Sequence, residues 1–183
     1  MTYDEYRALE RAAPERNEFH DGEVFAMSGG TRVHGVVIGN TFGSLWTSLR
    51  PRGCTVFTSD MRVRTADDHG VYPDVSALCG APRFSDTTED ELTNPTLVVE
   101  VLSESTERYD RGRKFEHYAS IPELRAYVLV ATDHVGIELR FREQLGDDWK
   151  IRHFHGGDRV EIDSLSVALV VDDVYAGVSL DAG

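Results

Sequence analysis

The sequence predicts an α/β (α+β) fold with a central mixed β-sheet flanked by helices, and three observations carry that expectation. The middle of the chain alternates helix and strand patterns. The rest, from the first hairpin onward and through the C-terminal third, reads as antiparallel strands. Between them, Thr96 to Ser103 (Thr-Leu-Val-Val-Glu-Val-Leu-Ser) is apolar on both faces, the mark of a strand covered on both sides. The 183 residues favour a single domain spanning 1–183, long enough to bury a core without staples.

The elements follow in order. Thr2-Tyr3-Asp4-Glu5 fits a capping box and opens a short helix that ends before Pro14. Asp21-Gly22, between Glu18-Phe19-His20 and Glu23 to Met27, signals a tight hairpin. Ser28-Gly29-Gly30-Thr31 breaks the second strand and starts a long helix, in which Val33, Val36, Val37, Asn40, Thr41, Ser44, Leu45 and Leu49 recur at helical spacing until Pro51-Arg52-Gly53 stops it. Short alternating segments follow at Thr55 to Thr58 and Met61 to Thr65. A strand over Val71 to Cys79 is interrupted at Pro73, which suggests an edge or a bulge. Gly80 to Asn94 reads as an acidic loop. After the Thr96–Ser103 strand, a helix is expected from about Asp110 to Ala119, then the apolar strand Ala126 to Ala131. Antiparallel strands at Gly136 to Phe141, Trp149 to Phe154, Arg159 to Ile162 and Val167 to Val171 complete the chain.

Composition is that of an ordinary globular domain, 40% hydrophobic and 28% charged, which excludes wholesale disorder and fibrous classes. The N-terminus lacks a signal-peptide run and the longest apolar stretches are strand-length, so the expectation is a cytoplasmic protein without a membrane segment. Cys54 and Cys79 have no C-x-x-C spacing and read as free buried thiols in a reducing compartment. The net charge of −13, from 19 Lys+Arg against 32 Asp+Glu, is awkward for a phosphate partner. The charge is uneven, however: Asp86 to Glu91 and Asp158 to Asp173 are acidic, whereas Arg50 to Arg64 and Arg108 to Lys114 are basic. A local basic groove therefore stays open.

Two acids stand where the fold should reject them. Asp74 follows Tyr72-Pro73 at the start or kink of a strand, and Glu100 lies mid-strand among Leu97 to Leu102. A carboxylate buried on both sides is costly unless paired, hydrogen-bonded or bound to metal. Downstream, Arg111, Lys114 and Tyr118 share one helical face that can approach the end of the Glu100 strand. Two carboxylates from neighbouring strands and one lysine are the minimal set for metal-assisted phosphodiester hydrolysis, with Mg²⁺ (or Mn²⁺) as the natural cation.

The run Tyr72-Pro73-Asp74-Val75, then Pro95 to Thr106, then Asp110-Arg111 and Lys114, resembles the PD-(D/E)XK nuclease superfamily. More narrowly it is similar to the putative restriction endonuclease family of bacterial single-domain proteins. Asp21-Gly22-Glu23, Met27-Ser28-Gly29-Gly30, His34 and Ile121 to Tyr127 with Val128-Leu129-Val130 add to the likeness, which covers roughly Thr2 to Phe141. The resemblance implies a restriction-endonuclease-like core and Asp74 and Glu100 as metal-binding acids, with the Val101 backbone carbonyl a further ligand. The superfamily's lysine two residues after the second acid is absent, since Leu102 stands there. In this family it is thought to have moved to the following helix, where Lys114 matches. Glu104 also replaces the family's proline. A Mg²⁺-dependent endodeoxyribonuclease follows, with DNA as substrate and a homodimer for double-strand cutting. The rival expectation is a catalytically silent interaction module, or a domain that a partner protein brings to DNA.

Weaker candidates are weighed beside these. Glu23, and with a smaller claim Glu18, are either extra acids near the metal or solvated hairpin carboxylates. His34 either faces the site or caps the long helix. Ser103 and Arg111 either contact phosphate or cap and pair with Asp110. His153 and His155 alternate at a spacing zinc uses but lack companions, so they read as a chance pair. Gly29-Gly30-Thr31 reads as a helix start rather than a phosphate cradle, and Trp46 and Trp149 as packing residues.

Overall fold

A computed structural model describes residues 1–27 and 29–180, and Ser28 of the Met27-Ser28-Gly29-Gly30 motif lies outside them. Helix α1 (Tyr3–Ala12) opens with the expected capping box: the Glu5 N–H donates to Thr2 Oγ1 and the Thr2 N–H to Glu5 Oε2. Strands β1 (Asn17–His20) and β2 (Glu23–Ala26) pair through Asp21 and Gly22, both at positive φ (50° and 87°), as a tight hairpin turn requires. Helix α2 (Arg32–Leu49), N-capped by Thr31, buries Val37, Thr41, Leu45 and Leu49. Strands β3 (Cys54–Thr58), β4 (Arg62–Arg64), β5 (Gly70–Val71), β6 (Val75–Cys79), β7 (Glu91–Leu92) and β8 (Leu97–Val101) follow. Helices α3 (Glu107–Arg111) and α4 (Arg113–Ala119) lead into β9 (Ala126–Val130), β10 (Ile137–Phe141) and β11 (Lys150–Phe154). The hairpin β12 (Arg159–Ile162) and β13 (Val167–Val170) and the short α5 (Val171–Val174) end the described chain.

The central mixed sheet has six strands in the order β11-β10-β9-β8-β6-β3. All its pairs are antiparallel except β8–β9, which α3 and α4 connect as a crossover. Every residue of β8 is buried, as the two-faced apolar run predicts. On one face Val99 and Val101 pack with Val37, Leu45 and Leu49 of α2 and with Leu169 of the C-terminal hairpin. On the other, Val98 and Leu102 pack with Tyr118, Ile121, Leu124 and Tyr127. No helix among the described residues is long and apolar enough to cross a membrane.

Several expectations are corrected. A second, five-stranded sheet, β2-β1-β5-β4-β7, collects strands too short to read as a unit. Pro73 marks neither an edge nor a bulge of one strand: it sits where the chain leaves this sheet at β5 for the central sheet at β6. The acidic loop is not free, because β7 within it pairs in parallel with β4. The single helix from Asp110 to Ala119 is two helices, broken at Gly112 (φ −110°, ψ −106°), so Arg111 does not share the Lys114 face. Trp46 is 41% exposed under the Arg50 guanidinium rather than packed inside. Cys54 and Cys79 are not free thiols. They are joined by a disulfide, since the β3–β6 register sets them opposite each other with Cα atoms 4.1 Å apart. Their separation of 25 residues carries no sign of that register.

The acidic segment docks on α1 through charge. Glu91, fully buried, accepts from Tyr3 Oη (2.5 Å) and Ser85 Oγ (2.6 Å) and faces Arg62 Nε (3.0 Å) and Arg7 Nε (3.1 Å). Arg62 is 2% exposed and its other acidic neighbour, Asp90, is 3.5 Å away. Glu91→Leu should therefore destabilise the protein by about 3–5 kcal/mol, the usual cost of leaving a buried charge without its partner. Urea unfolding of the variant against the wild type measures it.

Candidate active site

The antiparallel register Val75↔Val99, carried one residue further, places Asp74 beside Glu100 on neighbouring strands. Asp74 Oδ2 accepts the Val101 N–H at 2.7 Å. Glu100 is 3% exposed and its Oε1 accepts from Tyr118 Oη at 3.0 Å, one turn beyond Lys114 on α4. Lys114 Nζ lies 3.0 Å from Glu100 Oε1, 3.1 Å from Glu18 Oε1 and 3.7 Å from Asp110 Oδ1. The structure thus brings Asp74, Glu100 and Lys114 together. It sets among them two further acids, Glu18 from β1, which had only a small claim, and Asp110 from α3, which was read as a partner of Arg111.

The remaining candidates divide. His34 Nε2 is 2.8 Å from the Val101 carbonyl oxygen and 3.7 Å from Asp74 Oδ2. Because a carbonyl only accepts, Nε2 carries the proton in that contact. A Cβ on Gly30 would stand 2.5 Å from His34 Nδ1, so a side chain there would push the imidazole off the site. Glu23 is exposed on the cleft wall. Ser103 Oγ bonds Ser105 and Thr106 within its own turn, at the cleft margin. Arg111 turns away and pairs with Glu107 and with Glu138 of β10. His153 is exposed, and Trp149 packs edge-on against Phe115.

Electrostatically the site holds more negative charge than its lysine can balance. Burial pushes the Asp74 carboxyl up, against the pull of the Val101 N–H and His34. Burial, then the neighbouring acids Asp110, Asp74 and Glu18, hold Glu100 well above the carboxylate range despite Lys114. Burial also raises Asp110. For Lys114 burial acts downward, but Glu100, Glu18 and Asp110 outweigh it and keep the ammonium charged. The surrounding open cleft, about 1480 Å³, is lined by nine Asp and Glu side chains against Arg113 and Lys114, a donor set that suits a cation before it suits a phosphate.

Sequence reasoning gave Glu18 only a small claim, and the structure makes it a central partner of Lys114. No local signal marks it: the burial of Glu18 within β1 is set by what packs on the strand, not by its alternation with Phe19. Three histidines, His20, His69 and His117, also converge at the cleft edge from distant parts of the chain, which no local spacing could announce.

A family model described as "Putative restriction endonuclease", Uma2, matches residues 3–172 of the chain. Two uncharacterized proteins of Synechocystis sp. are similar. One, slr1290, is 37% identical over 180 residues, 98% of this chain and 93% of its own length. The other, sll1609, is 32% identical over 158 residues, covering 85% and 88%. The crystal structure of a putative nuclease belonging to DUF820 from Anabaena variabilis has the same fold, with a TM-score of 0.74 over 96% of this chain and 97% of that one at 16% identity.

Glu18 yields a pH test. Burial alone would raise its carboxyl, but Lys114, His20 and the Tyr72 N–H prevail and lower it from 4.5 to about 2. A carboxyl depressed on folding stabilises the protein above its unfolded value, and that contribution is lost as pH falls through the folded value. Glu18→Gln should cost on the order of 3 kcal/mol at neutral pH. The gap to the wild type should close as pH falls from 4.5 towards 2. Chemical denaturation at a series of pH values measures both.

Proposed function

The chain belongs to the Uma2 family, described as putative restriction endonucleases, and on that footing we propose that it is a metal-dependent endonuclease hydrolysing DNA phosphodiester bonds. The observation that carries the reading is the buried Lys114 ammonium 3.0 Å from Glu100, with Asp74 at the adjoining register position, in an open cleft. Asp74, Glu100 and the Val101 carbonyl offer the hard oxygen donors that Mg²⁺ or Mn²⁺ takes, and the raised carboxyls mark a shortage of positive charge there. A cation so held lowers the pKa of a bound water and offsets charge on the attacked phosphate.

The chain's own groups do the rest. Lys114 has three N–H donors. Glu18 and Asp110 anchor the ammonium, leaving a donor for the attacking water or a non-bridging phosphate oxygen once Glu100 is engaged elsewhere. Tyr118 fixes the Glu100 carboxyl from behind. His34, gripping the Val101 carbonyl, sets the direction of that oxygen. Cutting both strands takes two such sites, so a homodimer acting on cytoplasmic DNA is the expected working form. The second reading, a silent module that binds a partner, draws on the nine acids of the cleft, which repel nucleic acid until cations are bound.

Asp74→Ala, Glu100→Ala and Lys114→Ala should each reduce Mg²⁺- or Mn²⁺-dependent plasmid nicking, Lys114→Ala by about 10²–10³-fold as for loss of one charge-stabilising donor. Asp74→Ala should leave the circular dichroism of the fold unchanged. Calorimetry should show Mg²⁺ binding lost with either acid. Wild-type protein that neither binds the cation nor nicks DNA would leave the silent module as the reading.

A further inference from the structure

We propose a second metal site, separate from the acids around Lys114, in which Asp21, His69 and His117 bind a zinc-class transition-metal ion. Asp21 sits in the β1–β2 turn, His69 just before β5 and His117 on α4, three residues beyond Lys114. One ligand atom from each lies within 4.8 Å of the others. The Asp21 Oδ1 to His69 Nε2 distance is 3.3 Å, and the two imidazole rings stack with centroids 3.5 Å apart. Both histidines are buried, yet His117 Nε2 has no hydrogen-bond partner. A buried polar atom without a partner costs about 1–3 kcal/mol, and a bound cation removes that cost.

Asp67 supplies what such sites need behind the ligands. Its carboxylate lies 3.0 Å from His117 Nδ1 and 3.2 Å from His69 Nδ1, and is itself fixed by Thr65 and Ser120 hydroxyls. A carboxylate holding the Nδ1–H of His117 leaves its Nε2 lone pair free for metal, the arrangement found behind metal-binding imidazoles. Two nitrogens and one carboxylate oxygen suit Zn²⁺ with an open fourth position and suit Mg²⁺ poorly. The Asp21 and His69 donors already stand at a tetrahedral ligand separation, and binding turns the stacked His117 ring so that its Nε2 lone pair reaches the same ion. Arg113, mostly exposed, reaches Asp21 Oδ2 at 3.6 Å and can turn to solvent when a cation takes its place. The ion would tie the hairpin turn, the 65–69 loop and α4 into one wall of the cleft.

The test is Zn²⁺ uptake by equilibrium dialysis with metal analysis in excess Mg²⁺, which competes for the all-oxygen site but not for paired imidazoles. The wild type should bind one Zn²⁺ per chain. Asp21→Asn, on an exposed turn whose positive φ asparagine tolerates, should lose that zinc with the fold intact, and His69→Gln should lose it too. Asp67→Asn should weaken binding about 10–100-fold. Asp74→Ala should keep the zinc, so this site and the nuclease reading fail separately. No zinc in the wild type, or zinc that survives both Asp21→Asn and His69→Gln, would overturn the site.

Discussion

The arrangement depends on one buried ammonium. Lys114 gathers carboxylates from three elements: Glu18 from the five-stranded sheet, Glu100 from the central sheet and Asp110 from α3. Desolvating any of these charges alone would cost several kcal/mol, so each is tolerated only because the others are present. The ion cluster thereby acts as a geometric constraint. The hairpin, the central strand and the crossover helices have to meet at one point, and the cleft opens beside it. The break at Gly112 serves the same end, since a continuous helix would carry Arg111 and Lys114 on one face. Instead Arg111 turns towards Glu138 and Lys114 is left alone among the acids.

That constraint explains which parts of the protein were legible in the sequence. Glu100 stood out because an acid within Leu-Val-Val-Glu-Val-Leu contradicts its surroundings, and Asp74 because Pro73 fixed a strand entry at a matching position. The hairpin at Asp21-Gly22, the capping box at Thr2 and the 3.6-residue period of α2 are local signals, and local signals survive folding. Whatever depends on register or on sheet assembly left no such trace. Cys54 and Cys79 are partners only because β3 and β6 pair with one alignment. His69 and His117 come from segments 48 positions apart that meet only when α4 packs beside the loop before β5. Glu18 looked like one more hairpin acid, because its alternation with Phe19 says that it points away from Phe19 and nothing about what it meets. The five-stranded sheet stayed hidden because its strands β5 and β7 have two residues each, too few to show a period.

The charge of the chain takes on a different meaning once its distribution is seen. Some of the 32 acids are matched, Asp86, Asp90 and Glu91 by Arg7, Arg11 and Arg62 where the 86–91 segment docks on α1, which leaves the excess of −13 to other parts of the surface. The unmatched share concentrates in the cleft, where nine acids face two basic side chains. A cleft of this charge repels a polyanion, and Lys114 cannot correct the balance because its charge is already shared among three carboxylates.

If the proposed function holds, cation loading and phosphate approach are coupled by the same carboxylates. Each cation held by the cleft acids removes repulsion that a phosphate would otherwise meet, and each phosphate adds an oxygen donor that strengthens the hold on the cation. Linkage makes the two effects equal in size, so a ligand that favours one must favour the other. A basic DNA-binding surface would instead attract nucleic acid whether or not the catalytic groups were ready. Here, on the nuclease reading, the buried acids of the proposed metal site also tie productive encounters to the cation-loaded state. Under the nuclease reading, the acidic composition that looked awkward in the sequence becomes a safeguard against unproductive binding.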